Sequence, residues 1–147
     1  EIASCLVGSE MCIRDSLKGA IYMAERSVVK TVSKQLDAKS RTFFNIKGTH
    51  FGGKLGKPDI ITSDKNGIWT GIETKAKSGR AFPNQIRRGR ELIENNGGRY
   101  VIAYGDFDLD AMDDRSIPRV LYTGEDMKFP KVTCEMVLDE SQVTYHG

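Results

Sequence analysis

The stretch Gly56-Lys57-Pro58-Asp59-Ile60-Ile61-Thr62-Ser63-Asp64-Lys65-Asn66-Gly67-Ile68-Trp69-Thr70-Gly71-Ile72-Glu73-Thr74-Lys75 reads as two short strands joined by a tight turn. Ile60 and Ile61 are β-branched, Asn66-Gly67 is the favoured pair for a two-residue hairpin turn, and Ile68 to Ala76 alternates as a strand does. A period of two puts Trp69, Gly71, Glu73 and Lys75 on one face and Ile68, Ile72 and Ala76 on the other. The hairpin returns Asp59, at the start of its first strand, to the neighbourhood of Glu73. Two carboxylates and an ammonium then converge.

Such a set has a chemical use. Carboxylate oxygens on rigid strands suit a hard divalent ion such as Mg²⁺, which keeps several waters and takes one or two carboxylates plus substrate phosphate. A neighbouring lysine orients the attacking water and offsets charge on the phosphate. Spacing alone is equally compatible with a surface hairpin whose Asp, Glu and Lys are merely solvated.

Pro58-Asp59 followed by Glu73-Thr74-Lys75 resembles the PD-(D/E)XK signature of restriction-endonuclease-like nucleases. With Gly56-Lys57-Pro58-Asp59, Gly71-Ile72-Glu73-Thr74-Lys75, Gln85 and Gly97-Gly98 in order, the chain resembles the VRR-NUC branch of that superfamily. The resemblance spans residues 24–105. It implies an αβββαβ core and a nuclease that depends on Mg²⁺, with Mn²⁺ as substitute. It also implies that Gln85 lines the site, and that a glutamate of the first helix, Glu25 here, joins the metal.

Outside this span the sequence divides by charge. Residues 6–16, Leu-Val-Gly-Ser-Glu-Met-Cys-Ile-Arg-Asp-Ser, resemble a translated sequencing adapter, so residues 1–16 are expected to be non-native. They have no signal-peptide anatomy. Residues 17–147 are then one nuclease domain, with a core over about 21–105 and an acidic extension over 106–147. Residues 17–105 carry a net charge of +10 and residues 106–147 a net of −6. A basic, motif-bearing part suits a phosphate backbone. With Cys5 and Cys12 set aside, Cys134 stands alone, which leaves no disulfide framework or cysteine zinc site. A reducing compartment follows, the cytoplasm of a bacterial cell or phage-infected host. No apolar run reaches membrane-span length.

The other elements are read from periodicity. Ile21 to Ala38 is an amphipathic helix with Ile21, Val28, Val29, Val32 and Leu36 on its apolar stripe. Glu25 falls within the stripe, where burying a charge is costly. It either reaches a metal or lysine at the sheet edge or bends to solvent. Arg41 to Lys47 is a first strand. The glycine-rich loop over 48–57 carries His50, Lys54 and Lys57, and reads either as a phosphate-contacting segment or as an ordinary connection. Pro83 opens a helix to about Asn95, stopped by Gly97-Gly98. Its Arg87, Arg88 and Arg90 form a basic face, which contacts phosphates or is simply solvated. Arg99 to Tyr104 is a buried strand. Asp106, Asp108 and Asp110 suggest a calcium loop, but Ala111 and Ile117 stand where its Gly and final Glu are required. That run is therefore an acidic surface loop. Val120 to Tyr122 and Val132 to Leu138 are short strands or edge segments.

The expectation is an α/β domain with a mixed central sheet, acting as a metal-dependent endonuclease on DNA. Asp59 and Glu73 are the main metal ligands, joined by the Thr74 carbonyl and Glu25, while Lys75 and Gln85 handle water and phosphate. Lys54, Lys57, Lys77, Arg80, Arg87 and Arg88 are the expected nucleic-acid contacts. Branched DNA, including Holliday junctions, fits stand-alone proteins of this family, and a junction resolvase entails a homodimer. The competing class is a non-catalytic nucleic-acid-binding module on the same basic face.

Overall fold

A computed structural model describes residues 2–46, 56–121 and 129–138, apart from the side chains of 2–15 and 21–23. The elements run α1 (Ile2–Ala38), β1 (Phe43–Asn45), β2 (Ile60–Ser63), β3 (Trp69–Thr74), α2 (Pro83–Asn96), β4 (Arg99–Ala103), α3 (Leu109–Asp113), β5 (Arg119–Leu121) and β6 (Cys134–Val137). The strands form one mixed six-stranded sheet in the order β1-β2-β3-β4-β6-β5. Among the described residues no helix is long and apolar enough to cross a membrane.

Helices lie on both faces. Val28, Val32 and Leu36, spaced by four along α1, pack with Ile60, Ile72, Val101 and Ala103 of the sheet and with Phe107, Leu109 and Met112 around α3. On the opposite face Ile86 of α2 packs with Tyr100, Ile102 and Met136. Successive residues of β4 thus feed alternate cores, so β4 is buried throughout rather than at every second position. β3 behaves likewise from Thr70 onward.

Helix α1 begins at Ile2 rather than near Ile21 and spans 37 residues. It ends where Ser40, at φ 52°, turns the chain so that the Arg41 N–H donates to the Leu36 carbonyl at 2.9 Å. Glycine usually fills this left-handed position, and none is present to announce it. β1 is shorter than the expected 41–47 segment. Its antiparallel ladder with β2 pairs Phe43 with Thr62 and Asn45 with Ile60.

The β2–β3 connection differs from the two-residue turn expected of Asn66-Gly67. The Asp64 N–H donates to the Ile68 carbonyl and the Gly67 N–H to the Asp64 carbonyl, leaving Lys65, Asn66 and Gly67 as a three-residue loop. Gly67 alone of these takes a positive φ, 80°, whereas a two-residue type I′ turn needs two such residues. The deciding group is the Asp64 side chain, whose Oδ1 accepts from the N–H groups of Asn66 and Ile68, both at 2.9 Å. That bonding holds the longer turn.

The acidic C-terminal part builds the same sheet. β6 lies between β4 and β5, antiparallel to the first and parallel to the second. Arg99 pins the turn to it. Its guanidinium meets Asp64 at 3.0 Å and Glu135 at 2.8 Å and 2.9 Å, and it also donates to the Met112 carbonyl. Arg41 makes a two-bond pair with Asp113, Lys39 pairs with Asp110, and Lys65 pairs with Asp114. The charge separation along the sequence is thus partly cancelled in space.

Candidate functional site

The β2–β3 register pairs Ile60 with Ile72, which brings Asp59 beside Glu73 one step further along the ladder. Asp59 caps the end of β3, its Oδ2 accepting from the Thr74 N–H at 2.9 Å and from the Thr74 hydroxyl. Glu73 is 3% exposed. Its Oε1 accepts from Gln85 Nε2 at 2.5 Å and meets Lys75 Nζ at 3.2 Å. Its Oε2 is buried and has no hydrogen-bond partner among the described residues. Among the described residues one oxygen is therefore held by two donors and the other by none.

Local structure explains the clamp. Pro83 begins α2, and Gln85 sits in its first turn, where its Oε1 accepts from the Phe82 N–H at 2.8 Å. That leaves the amide NH₂ pointing across to β3. Lys75 is nearly as buried as Glu73, and its ammonium lies 5.0 Å from the centre of the Phe82 ring, a cation–π contact.

Electrostatics mark the same residue. Burial, then the charge of Asp59, pushes the Glu73 carboxyl up to about 8; Lys75 opposes the shift and Glu25 adds to it. Tyr100 of β4 is fully buried, and its hydroxyl has no hydrogen-bond partner among the described residues. Burial and the charges of Glu73 and Asp59 raise its pKa, so its hydroxyl stands within their field. Sequence reasoning read Tyr100 only as a strand residue. The period of two places Tyr100 and Ile102 on one face of β4, but their alignment with Gly71 and Glu73 comes from the β3–β4 register, which no local signal announces.

The residue types fit a cation. A buried carboxylate oxygen without a donor beside a second carboxylate is the arrangement that a hard divalent ion relieves. Among the described residues no three carboxylate, imidazole or thiol side chains close around one point. The fit is therefore to an ion that keeps most of its water, as Mg²⁺ does. Glu25 is close enough to act on Glu73 electrostatically, but it does not complete a three-ligand cluster. Cys134 offers no alternative nucleophile: it is buried, and burial first and Asp106 second push its thiol up to about 12.

The expected phosphate contacts are scattered. Lys77, Arg80 and Arg87 are exposed, Lys57 and Arg88 are half-buried beside a cleft between β3 and α2, and Arg88 is ion-paired with Glu91. Lys54 and His50 lie outside the described residues. In the acidic run Asp108 caps α3 and Asp106 accepts from Thr133, which gives both carboxylates structural partners. No protein-family model matches this chain, and comparison with curated proteins and with solved structures gave no match.

Proposed function

We propose that the chain is a divalent-metal-dependent nuclease that hydrolyses DNA phosphodiester bonds, with a restriction-endonuclease-like αβββαβ core. The single observation that carries this reading is the asymmetry of Glu73: Oε1 is clamped by Gln85 and Lys75, while Oε2 is buried beside Asp59 and has no partner among the described residues. The element order α1, β1, β2, β3, α2, β4 supports it, as does the descent of Asp59, Glu73 and Lys75 from one hairpin. A binding module gains nothing from carboxylates set beside phosphate.

Asp59 and Glu73 hold the ion, Mg²⁺ or Mn²⁺, with the Thr74 carbonyl as a further oxygen and Glu25 as a more distant charge. When bound, such an ion supplies charge stabilisation at the phosphate and acidifies a water. Gln85 keeps Glu73 in one rotamer. Lys75 orients the attacking water and stabilises charge on the phosphoryl oxygens. Its burial beside Phe82 keeps the ammonium aimed at one place instead of sweeping through solvent.

The test incubates the full chain with four-way-junction, flap, linear duplex and single-stranded DNA in Mg²⁺ or Mn²⁺. Cutting is expected to require metal and to fall at least about 100-fold in Asp59→Ala, Glu73→Ala and Lys75→Ala. Retained cutting in Asp59→Ala and Glu73→Ala would remove the assignment. Binding without cutting by the unmutated chain would favour the non-catalytic module. Symmetric cutting of a junction by a homodimer would place the protein among resolvases.

A further inference from the structure

Helix α2 packs on β4 and β6 on its face of the sheet and, among the described residues, does not extend over β1 and β2. Trp69, at the start of β3, is 49% exposed, and Phe44 of β1 is 66% exposed. Between α2 and β3 runs a cleft of about 190 Å³, with Pro58, Gly71 and Leu92 as its floor, Trp69 as a wall, and Lys57 and Arg88 beside it. Gly71 shapes that floor, since a Cβ there would sit 3.0 Å from both Leu92 and Pro58. A shallower cavity of about 570 Å³ continues outward past Lys57, Ile61 and Trp69 to Phe44. At its inner end the cleft is lined by Gly71, two residues before Glu73 on the same face of β3, by Pro58, next to Asp59, and by Tyr100. The cleft and the candidate site are therefore adjoining parts of one face.

The lining has a definite chemistry. An exposed indole above an apolar floor accepts a flat aromatic ring by stacking, and every nucleobase has such a face. Lys57 supplies positive charge for the attached phosphate. Glu91 is neutralised by its ion pair with Arg88, so the cleft does not repel a polyanion. Asn96 offers an amide for a base edge. The space is several times the ~30 Å³ share of one water, which suits a ring but not a folded polymer. Bases within a duplex are already stacked, and freeing one costs energy. The occupant favoured by this lining is therefore a base that is already unpaired.

We propose that the cleft between β3 and α2, with Trp69 as its wall and Lys57 and Arg88 beside it, is a stacking site for an unpaired nucleobase. Trp69 and Glu73 are four residues apart on one strand, about 13 Å at the usual rise. That equals about four stacked base steps of 3.4 Å. The consequence for cleavage rests on the nuclease reading: cutting favours a phosphate about four steps from an unpaired nucleotide. The binding itself does not depend on that reading.

The chain has one tryptophan, so its fluorescence reports this cleft alone. Full-length protein in EDTA is titrated with single-stranded oligothymidylate, with an abasic strand of equal length, and with blunt duplex. Saturable quenching is expected from oligothymidylate, with little from the abasic strand or the duplex. By anisotropy, Trp69→Ala is expected to weaken single-strand binding about tenfold, with Trp69→Phe retaining most of it and duplex binding unchanged. Lys57→Ala is expected to lower the salt slope by about one. Equal quenching by the abasic strand, or unaltered single-strand affinity in Trp69→Ala, would overturn the proposal. Quenching without metal-dependent cutting would reject the nuclease reading and keep the base site; cutting without quenching would do the reverse.

Discussion

Replacing Glu73 by glutamine tests the electrostatic account of the site without any substrate. In the metal-free protein Glu73 titrates at about 8, against an ordinary value of 4.5, chiefly because it is buried. Between those two values the folded chain holds one proton more than the unfolded chain, so stability falls as pH rises. The contribution is fully present below pH 4.5, is lost progressively as pH climbs through 8, and falls no further above that. The slope is about 1.4 kcal/mol per pH unit and the total about 5 kcal/mol. Glu73→Gln has no proton to lose, so its stability curve lacks this component. Its amide NH₂ stands where the protonated acid carries its O–H, so the two proteins are expected to differ little near pH 5. The curves then diverge as pH rises, and the variant is the more stable near pH 8.5. Urea denaturation in EDTA from pH 5 to 9, with m unchanged between the proteins, measures both curves. Saturating Mg²⁺ is expected to flatten the wild-type curve alone, because a cation favours the ionised form. Parallel curves in EDTA would refute the reasoning, since Glu73 would then carry the same protons folded and unfolded.

Two further outcomes concern the scaffold. Arg99→Met leaves Asp64 and Glu135 buried against each other without their cation, and is expected to lower stability by about 3–5 kcal/mol in thermal or urea unfolding. Gly89→Ala is expected to lower it by about 1–3 kcal/mol despite the better helix propensity of alanine, because a Cβ there would meet the Tyr100 ring at 2.7 Å and Met136 at 2.6 Å; a stabilised Gly89→Ala protein would show that α2 stands further from the sheet.

Periodic signals in the sequence were legible where one physical effect dominated. The spacing of Val28, Val32 and Leu36 gave the buried stripe of α1, and Pro83 with Gly97 bracketed α2 closely. The placement of Asp59 beside Glu73, with Lys75 on the same face, followed from the strand period and the hairpin. What was not legible depended on long-range partners. Arg99 was read only as the start of a buried strand within the basic part, because nothing local announces that Asp64 and Glu135 will enclose it. Asn66-Gly67 indicated a shorter turn because the competing bonds come from a side chain two residues earlier. The interior place of β6 could not be read from a four-residue run whose neighbours β4 and β5 are distant in sequence.

The contrast between Arg99 and Glu73 separates two kinds of buried ionisable group. They lie on opposite faces of one sheet, Arg99 against two carboxylates and a carbonyl, Glu73 against two donors and the like-charged Asp59. Arg99 spends its guanidinium on Asp64, Glu135 and the Met112 carbonyl, and both Glu135 oxygens are used in return. A network completed in this way ties β4, β6 and the β2–β3 turn together, and leaves no direction from which a ligand is favoured. Glu73 has an equally rigid frame in Gln85 and Lys75, yet both of those donors fall on the same oxygen. The second oxygen carries the cost of burial without a bond to offset it. A fold that positions a carboxylate this firmly could have supplied a second donor from Tyr100, whose hydroxyl is also without a partner among the described residues. That two such groups stand unsatisfied on one face, beside Asp59, favours a site built to be completed by something that binds.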